Sequence, residues 1–450
     1  MRVHFGIFLL VLFSACKKYL DLNPNSALGA PETLADYRAL LDNNLITENS
    51  TPGLGQLGSD DYMQSYSVWR SAEATAQNAY IWQKDIYGDE TILSWSEPYK
   101  VVDYCNVVLE GVPALPQPDA AAMTEYNAVM GTAYFTRAFQ FYNLEETFGE
   151  IFKPGSAKTD RGIVLRLTSD KHQHVGRSTV LQTYMQILQD AKKSIPLLPD
   201  EVQFQYRNRP CKPAAYALIA RAYLSMQQYD SAKTYADSCL LNYGRLAAYD
   251  TLNMSGPRPF SPAGNDEVLY QCSAVSFKAQ YYFTSEVDTT LYNSYADADL
   301  RKTVFFKLAP SGTGHYFRGQ YTGKVYLFSG LATDEVYLCR AECYARMGRV
   351  EEALADLNTL LSQRWKTGTF QPYTAASMDE ALALVLMERR KETLFREVRW
   401  ADLRRLNQDS GTLRRIVGDT VYTLLPGDPR YAYPIPAEEI NIGGIEQNQR

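Results

Sequence analysis

LATDEVYLCRAECYARMGRVEEALADLNTLL, residues 331–361, carries two helical patterns broken at Met347-Gly348. In the first, Leu338, Ala341 and Ala345 share one face; in the second, Ala353, Leu354, Leu357, Leu360 and Leu361 do. Gly348 can take the left-handed backbone conformation that closes the first helix. The stretch therefore predicts a helix hairpin near 331–363.

AAYALIARAYLSMQQYDSAKTYADSCLL, residues 214–241, repeats the spacing. Ala220, Tyr223, Ala232 and Ala236 stand at the offsets of Ala341, Tyr344, Ala353 and Leu357. Small residues fall where two helices cross closely, and a tyrosine falls where they splay. This spacing resembles the tetratricopeptide repeat. It predicts a second hairpin near 212–243, but 121 residues separate the two units, too far for a simple tandem array. A helical stretch near 126–149 offers Ala133, Ala138 and Phe141 to a similar seam, with a degraded second helix. Another helical stretch runs near 379–407. Loop-rich regions at 50–100 and 250–330 separate the units, with short strands such as TVFFKL and KVYLFS in the second. No alternating β-α pattern supports a Rossmann or barrel enzyme. The expected class is mostly α: tetratricopeptide-like hairpins forming a helical scaffold with long loop-rich insertions.

Composition narrows the function. Of 450 residues, 46% are apolar, and the net charge is −6. Without a cationic excess to displace counterions, a nucleic-acid partner is disfavoured. After residue 16 no apolar run approaches the ~18 residues of a membrane span. The cysteines at 105, 211, 239, 272, 339 and 343 are scattered through a chain too long to need a disulfide framework, and buried free thiols are expected. His172-Gln173-His174 lacks ligands at zinc spacing and reads as a solvated loop; no metal or cofactor is expected.

The N-terminus is more specific. Met1-Arg2-Val3-His4 is a short basic start, followed by a nine-residue apolar run from Phe5 to Phe13. At ~1.5 Å per residue that run covers less than half of a ~30 Å hydrocarbon core, so it reads as a signal peptide, residues 1–15. Ser14 and Ala15 are small enough for peptidase access, and Cys16 follows with the side chain that takes a thioether-linked diacylglycerol. The stretch resembles a bacterial lipoprotein signal, with an ordinary secretory signal as the alternative. Lipidation at Cys16 would anchor the mature chain, 16–450, stably. Lys17 and Lys18 would then lie beside the headgroups.

Glu388, Glu392, Phe395, Arg399 and Asp402 are spaced by +4, +3, +4 and +3, which places three carboxylates and an arginine on one helical stripe. Paired carboxylates could serve acid–base chemistry. An ion-pair mesh to neighbouring helices, with Arg340 and Glu342 as partners, is the favoured reading, because singly buried charges cost several kcal/mol. No catalytic residue is assigned.

ERRKETLFREVRWADLRR, from 388, is similar to the signature of the SusD/RagB family of Bacteroidetes outer-membrane nutrient-binding lipoproteins. Four further segments agree in order: CKKYLDLNP at the mature start, AYFTRAFQFYNLEETFG at 133, DEVYLCRAECYARMG at 334 and PIPAEEINIGGIEQNQ at 434. The resemblance implies one SusD-like domain after the signal, facing the cell exterior from the outer membrane. It also implies a partner, a SusC-like TonB-dependent transporter to which captured oligosaccharide or polymer fragments are delivered. At Gln449-Arg450 the chain ends where the family usually continues through a further small turn.

The resemblance fixes no ligand contacts, so these come from residue chemistry. Sugar rings stack on aromatic side chains, and their hydroxyls need polar partners. Tyrosine outnumbers phenylalanine 33 to 18, so many rings carry a polar handle. Residues 59–99 hold Tyr62, Tyr66, Trp69, Trp82 and Trp95, and residues 281–326 hold Tyr281, Tyr282, Tyr292, Asn293, Tyr295, Tyr316, Arg318 and Tyr321. These are the ligand-binding candidates, each against the alternative of a packing role. Trp365 and Trp400, on expected helices, read as core, and Asp60-Asp61 as a solvated turn. A non-catalytic binding lipoprotein is thus expected, binding oligosaccharide or instead peptide or another nutrient. A helical-repeat scaffold for proteins is the second class; a surface-tethered hydrolase is the least supported.

The anchoring reading has a direct test. Replacing Cys16 with Ala should release the processed chain from membranes, read by fractionation with detergent partitioning. A fully processed variant that stays in the membrane fraction would remove lipidation from the account.

Overall fold

The computed structural model of the protein describes residues 31–450 apart from 89, 262–264, 281–284, 311 and 408–410. The expected signal, Cys16, Tyr281 and Tyr282 lie outside the described residues. The class is mostly α. Nine helices of nine residues or more among the described residues form the frame: α1 Leu93–Gly111, α2 Met123–Phe148, α3 Val180–Ser194, α4 Lys212–Ser225, α5 Tyr229–Asn242, α6 Thr333–Arg346, α7 Val350–Ser362, α8 Met378–Glu392 and α9 Val398–Leu406. From α1 to α8 each helix packs on the next. The α4–α5 and α6–α7 hairpins therefore adjoin through α5 and α6, although the chain between them is long. The strands make five two-stranded antiparallel pairs among the described residues.

The two hairpins turn by the same hydrogen bonds. Gly348 has φ +75°, and Arg349 N–H donates to Tyr344 O at 2.9 Å. At the matching offset Gln227 has φ +58°, and Gln228 N–H donates to Tyr223 O at 2.9 Å. A left-handed residue is what reverses the chain here, and at 227 a side chain bears that conformation without glycine's freedom. Ala220, Ala232, Ala236, Ala341, Ala353 and Leu357 are all buried in the crossings. In the third unit Ala133, Ala138 and Phe141 are buried in α2. Its partner helix is the intact α3, displaced along the chain by an insertion that carries the strands Arg161–Val164 and Arg177–Thr179. Arg137 and Asp190 join α2 to α3 through a buried ion pair of 2.8 Å.

Residues 50–100 are less loop-like than expected. Short helices occupy Leu54–Gly58, Tyr66–Ser71 and Ala74–Tyr80, and α1 begins at Leu93. Trp365 is also misplaced by the helical reading: it lies beyond the end of α7, half-buried against Phe370 at 5.8 Å. Trp400 is buried in α9, its indole N–H donating to Tyr431 O at 3.2 Å. The six cysteines from Cys105 to Cys343 are buried and free. His172 and His174 are exposed on the loop before the strand at Arg177. The C-terminal segment docks on α2, where Asn448 Nδ2 donates to Phe148 O at 2.8 Å.

The charged stripe is not one helix. The chain leaves helical geometry between Glu392 and Val398, with Phe395 and Glu397 at φ +55° and +59°. The break turns Glu388 and Glu392 toward one set of partners and Asp402 toward another. Arg301, fully buried, meets Asp299 at 2.7 Å, Glu388 at 2.5 Å and Glu392 at 3.0 Å. Arg364 reaches Glu392 at 2.8 Å and Glu267 at 2.7 Å. Arg396 holds Asp334 at 2.7 Å. Arg405 grips Glu342 at 2.6 and 2.7 Å and, with Arg389, Asp402. Glu342 is thus in the mesh. Arg340 is not: it pairs with Asp356 and Asp237 on α7 and α5, because its position on α6 faces the hairpin instead.

Arg399 departs from the stripe as well, and with it the reading of Asp60-Asp61 as a solvated turn fails. Arg399 holds Asp60 bidentately at 2.7 and 2.8 Å, and Arg390 adds a contact at 3.3 Å. Despite burial, these guanidinium charges keep Asp60 well below the usual carboxylate range. Asp61 is fully buried, and burial raises its carboxyl above that range. Nearby Glu397 accepts from Gln56 N–H at 3.0 Å, and burial pushes its carboxyl up to about 8. The group is half-buried around the fully buried Asp61 and joins α9 to the segment that follows the helix Leu54–Gly58.

Two measurements check this frame. Arg301→Met strands three carboxylates and should cost ~3–5 kcal/mol of stability by urea unfolding, whereas Arg349→Ala, in an exposed pair with Glu352, should cost under ~1 kcal/mol. Glu397 carries a raised folded-state pKa, so its contribution is fully present below the unfolded value of roughly 4.3 and is lost as pH rises through about 8. Stability should accordingly fall across that window, and Glu397→Gln, which mimics the protonated group, should flatten the fall.

Candidate aromatic binding rim

Two distant segments meet at a short ladder in which Tyr62 pairs with Val287 and Met63 with Glu286. Beyond it Ser65 Oγ accepts from Val68 N–H at 3.3 Å and starts the helix Tyr66–Ser71. Positions three apart share a helical face, so Tyr66 and Trp69 bring their rings to 5.9 Å, inclined at 39°. Trp69 Nε1–H donates to Gln77 O at 3.0 Å, which fixes the indole. Tyr66 is 56% exposed. Its ring lies over Gly418, φ +60°, at the tip of the hairpin Leu413–Val417/Thr420–Leu424.

The opposite segment supplies the rest. Asp288 caps the helix Thr289–Asn293 by accepting from Leu291 N–H at 2.8 Å. Tyr292, half-buried, stacks on His315 with centroids 3.7 Å apart and planes at 13°. Asn293 is exposed at the helix end. Tyr316, half-buried, stands opposite Lys307 in the hairpin Phe306–Leu308/His315–Phe317. Trp69 and Tyr292 pack from outside on one apolar cluster that includes Val287, Leu291 and Phe306. The chain thus displays partly exposed rings on a rigid apolar floor, with hydroxyl, amide and imidazole groups beside them. That combination suits a ligand with flat C–H faces and many hydroxyls.

The other named rings do not join the rim. Trp82 is 1% exposed, its indole N–H donating to Gly58 O at 2.9 Å. The cause is Arg415, whose guanidinium lies 3.8 Å over Tyr80, 4.7 Å over Trp82 and 5.3 Å over Tyr62 and draws all three inward. Trp95 sits in the first turn of α1, edge-on to Phe148 at 5.0 Å. Tyr295 is buried, its hydroxyl donating to Lys391 O at 2.8 Å. Tyr321 belongs to the ion mesh: its hydroxyl is 2.6 Å from Glu267 and Arg396 covers its ring at 3.7 Å. Arg318 spends its guanidinium on backbone carbonyls, Thr303 O at 2.9 Å among them. Sequence reading missed His315 and the 413–424 hairpin. The hairpin had a signal, since Leu413, Arg415 and Val417 alternate with Arg414 and Ile416 before Gly418-Asp419.

The fold is a helical-repeat frame that carries partly exposed aromatic rings on the short elements of its insertions. Comparison with known proteins makes the class specific. Residues 18–224 match a SusD-like family model described as starch-binding associating with outer membrane, and residues 333–449 match the model of the SusD family. The chain belongs to the SusD/RagB family. It is similar to SusD-like protein P2 of Formosa agariphila, 22% identical over 373 residues that span 69% of this chain and 71% of the relative. In fold it is similar to a SusD superfamily protein of Bacteroides thetaiotaomicron, with TM-score 0.75, 22% identity, and 93% of this chain and 100% of the other covered. A SusD-like carbohydrate binding protein of Bacteroides vulgatus gives TM-score 0.71 at 19% identity, covering 92% of this chain and 97% of the other.

Proposed function

We propose that the protein is a non-catalytic, lipid-anchored outer-membrane lipoprotein that captures oligosaccharides at the Tyr66–Trp69/Tyr292–Tyr316 rim and passes them to a SusC-like TonB-dependent transporter. The observation that carries the reading is the pair of exposed Tyr66 and half-buried Trp69, with Trp69 packed on the same apolar cluster as Tyr292 while neighbouring rings are drawn into the core. Family membership supports the outer-membrane setting, through a model described as starch-binding associating with outer membrane. The similar Bacteroides vulgatus structure, described as carbohydrate binding, supports the ligand class. Among the described residues no helix is long and apolar enough to cross a membrane, so attachment in this reading rests on Cys16.

The test is calorimetry of the chain from Lys17 against neutral oligosaccharides. For a ligand so identified, Trp69→Ala should weaken binding by ~2–4 kcal/mol, with Tyr66→Ala and Tyr292→Ala smaller losses, all three folded by circular dichroism. Parent-like binding by all three variants would overturn the rim. Purification from native membranes in mild detergent should bring down a much larger β-barrel protein. Repeated recovery of the lipidated chain alone would count against delivery to a transporter.

A further inference from the structure

Strand side chains alternate between faces, so the hairpin Leu413–Val417/Thr420–Leu424 has an inner and an outer side. On the inner side Leu413, Arg415, Val417 and Leu424 are buried. Val417 belongs to the apolar cluster on which Trp69 and Tyr292 pack, so the hairpin and the rim share one floor. Arg415 fixes the root of the hairpin: its Nη1 donates to Leu57 O at 3.0 Å, and its guanidinium lies over Tyr80 at 3.8 Å. The hairpin is therefore a braced arm of the rim.

The outer side departs from the polar pattern of a strand face in water. Arg414 and Thr423, directly opposite each other, keep that pattern and are exposed. The next outer rung pairs Ile416 with Val421, and these apolar side chains are 63% and 45% exposed. Gly418 stands two residues beyond Ile416, roughly 6.6 Å along the chain, on the same side. A Cβ at 418 would lie 3.3 Å from Cδ2 of Tyr66, so the exposed Tyr66 ring closes the end of this outer side. Glycine at this turn, with φ +60°, leaves the ring room to lie there. An apolar strip results that runs from Trp69 through Tyr66 to the Ile416–Val421 rung. Asp419, Thr420 and Thr423, exposed around the rung, set carboxylate and hydroxyl groups beside it.

From this arrangement we infer that the rim continues onto the outer side of the hairpin as a further subsite: Ile416 and Val421 take the C–H face of a sugar residue beyond the one stacked at Tyr66–Trp69, and Asp419, Thr420 and Thr423 bond its hydroxyls. The inference rests on the sugar-binding reading of the rim and adds a substrate class to it, extended oligosaccharides in preference to short ones. The reason is reach. A single sugar ring, similar in size to one aromatic ring, cannot cover both the Tyr66–Trp69 pair, with centroids 5.9 Å apart, and the rung beyond it. The occupant is the rim's own ligand because the two surfaces are continuous through Tyr66 above and Val417 beneath.

Calorimetry of the chain from Lys17 tests it with paired probes: maltotriose and maltohexaose, cellotriose and cellohexaose, xylotriose and xylohexaose, mannotriose and mannohexaose. In a series that binds, the hexasaccharide should bind at least about tenfold more tightly than the trisaccharide. Ile416→Thr/Val421→Thr, which keeps β-branched residues in the strands, should remove most of that preference and leave the trisaccharide affinity unchanged. The unchanged trisaccharide also reports that the double variant is folded. Trp69→Ala should weaken both lengths. The further subsite is overturned if the parent binds both lengths alike, if the double variant keeps the full preference, or if it weakens the trisaccharide as much as the hexasaccharide. The rim survives each of those results, because the parent still binds the trisaccharide and Trp69→Ala still weakens it. If neither length of any series binds, the rim reading falls and the extension falls with it.

Discussion

Arg301 has no contact with solvent, and three carboxylates share its guanidinium. The arrangement around it extends through Arg364, Arg396, Arg389 and Arg405 to carboxylates on α6, α8 and α9 and to the segments at 267 and 299. Taking such charges out of water costs several kcal/mol each, and only mutual pairing with good geometry offsets it. The consequence is all-or-none: each carboxylate is tolerable because the arginines beside it are in place. Helices that lack a continuous apolar seam, α8 and α9 above all, are held in position by this requirement.

The lattice also carries the loops. Asp299 and Arg301 tie the segment after Thr289–Asn293 to α8, and Tyr295 reinforces the tie through its hydroxyl bond to Lys391 O. The helix that bears Tyr292 is thereby anchored at its C-terminal side. Its other side is secured by the ladder to Tyr62 and Met63. Exposed aromatic rings gain from such rigidity, because a ring already fixed loses little rotamer freedom on meeting a ligand.

The rim offers rings and neutral polar groups, suited to stacking on uncharged sugar faces.

What the sequence determined is the part of the structure written in local periods. The spacing of Ala341, Tyr344 and Ala353, repeated 121 residues earlier, specified two hairpins, because small residues at helical intervals allow close crossing wherever the partner comes from. The charge pattern of 388–402 pointed to a structural mesh, although its break at 393–397 was not legible, since Phe395 and Glu397 adopt left-handed conformations that only surrounding contacts sustain. Tertiary structure alone decided which aromatics face solvent. Tyr62 and Trp82 are inside because Arg415, more than 330 residues further on, inserts among them; Trp95 because Phe148 meets its edge; Tyr321 because Glu267 and Arg396 claim it. Tyr66, in the same segment, stays exposed where its ring meets the hairpin tip at Gly418, and Trp69 stays half-buried, tied by its indole to Gln77 O. Burial is a property of what the rest of the chain brings to a residue, and no local period encodes it.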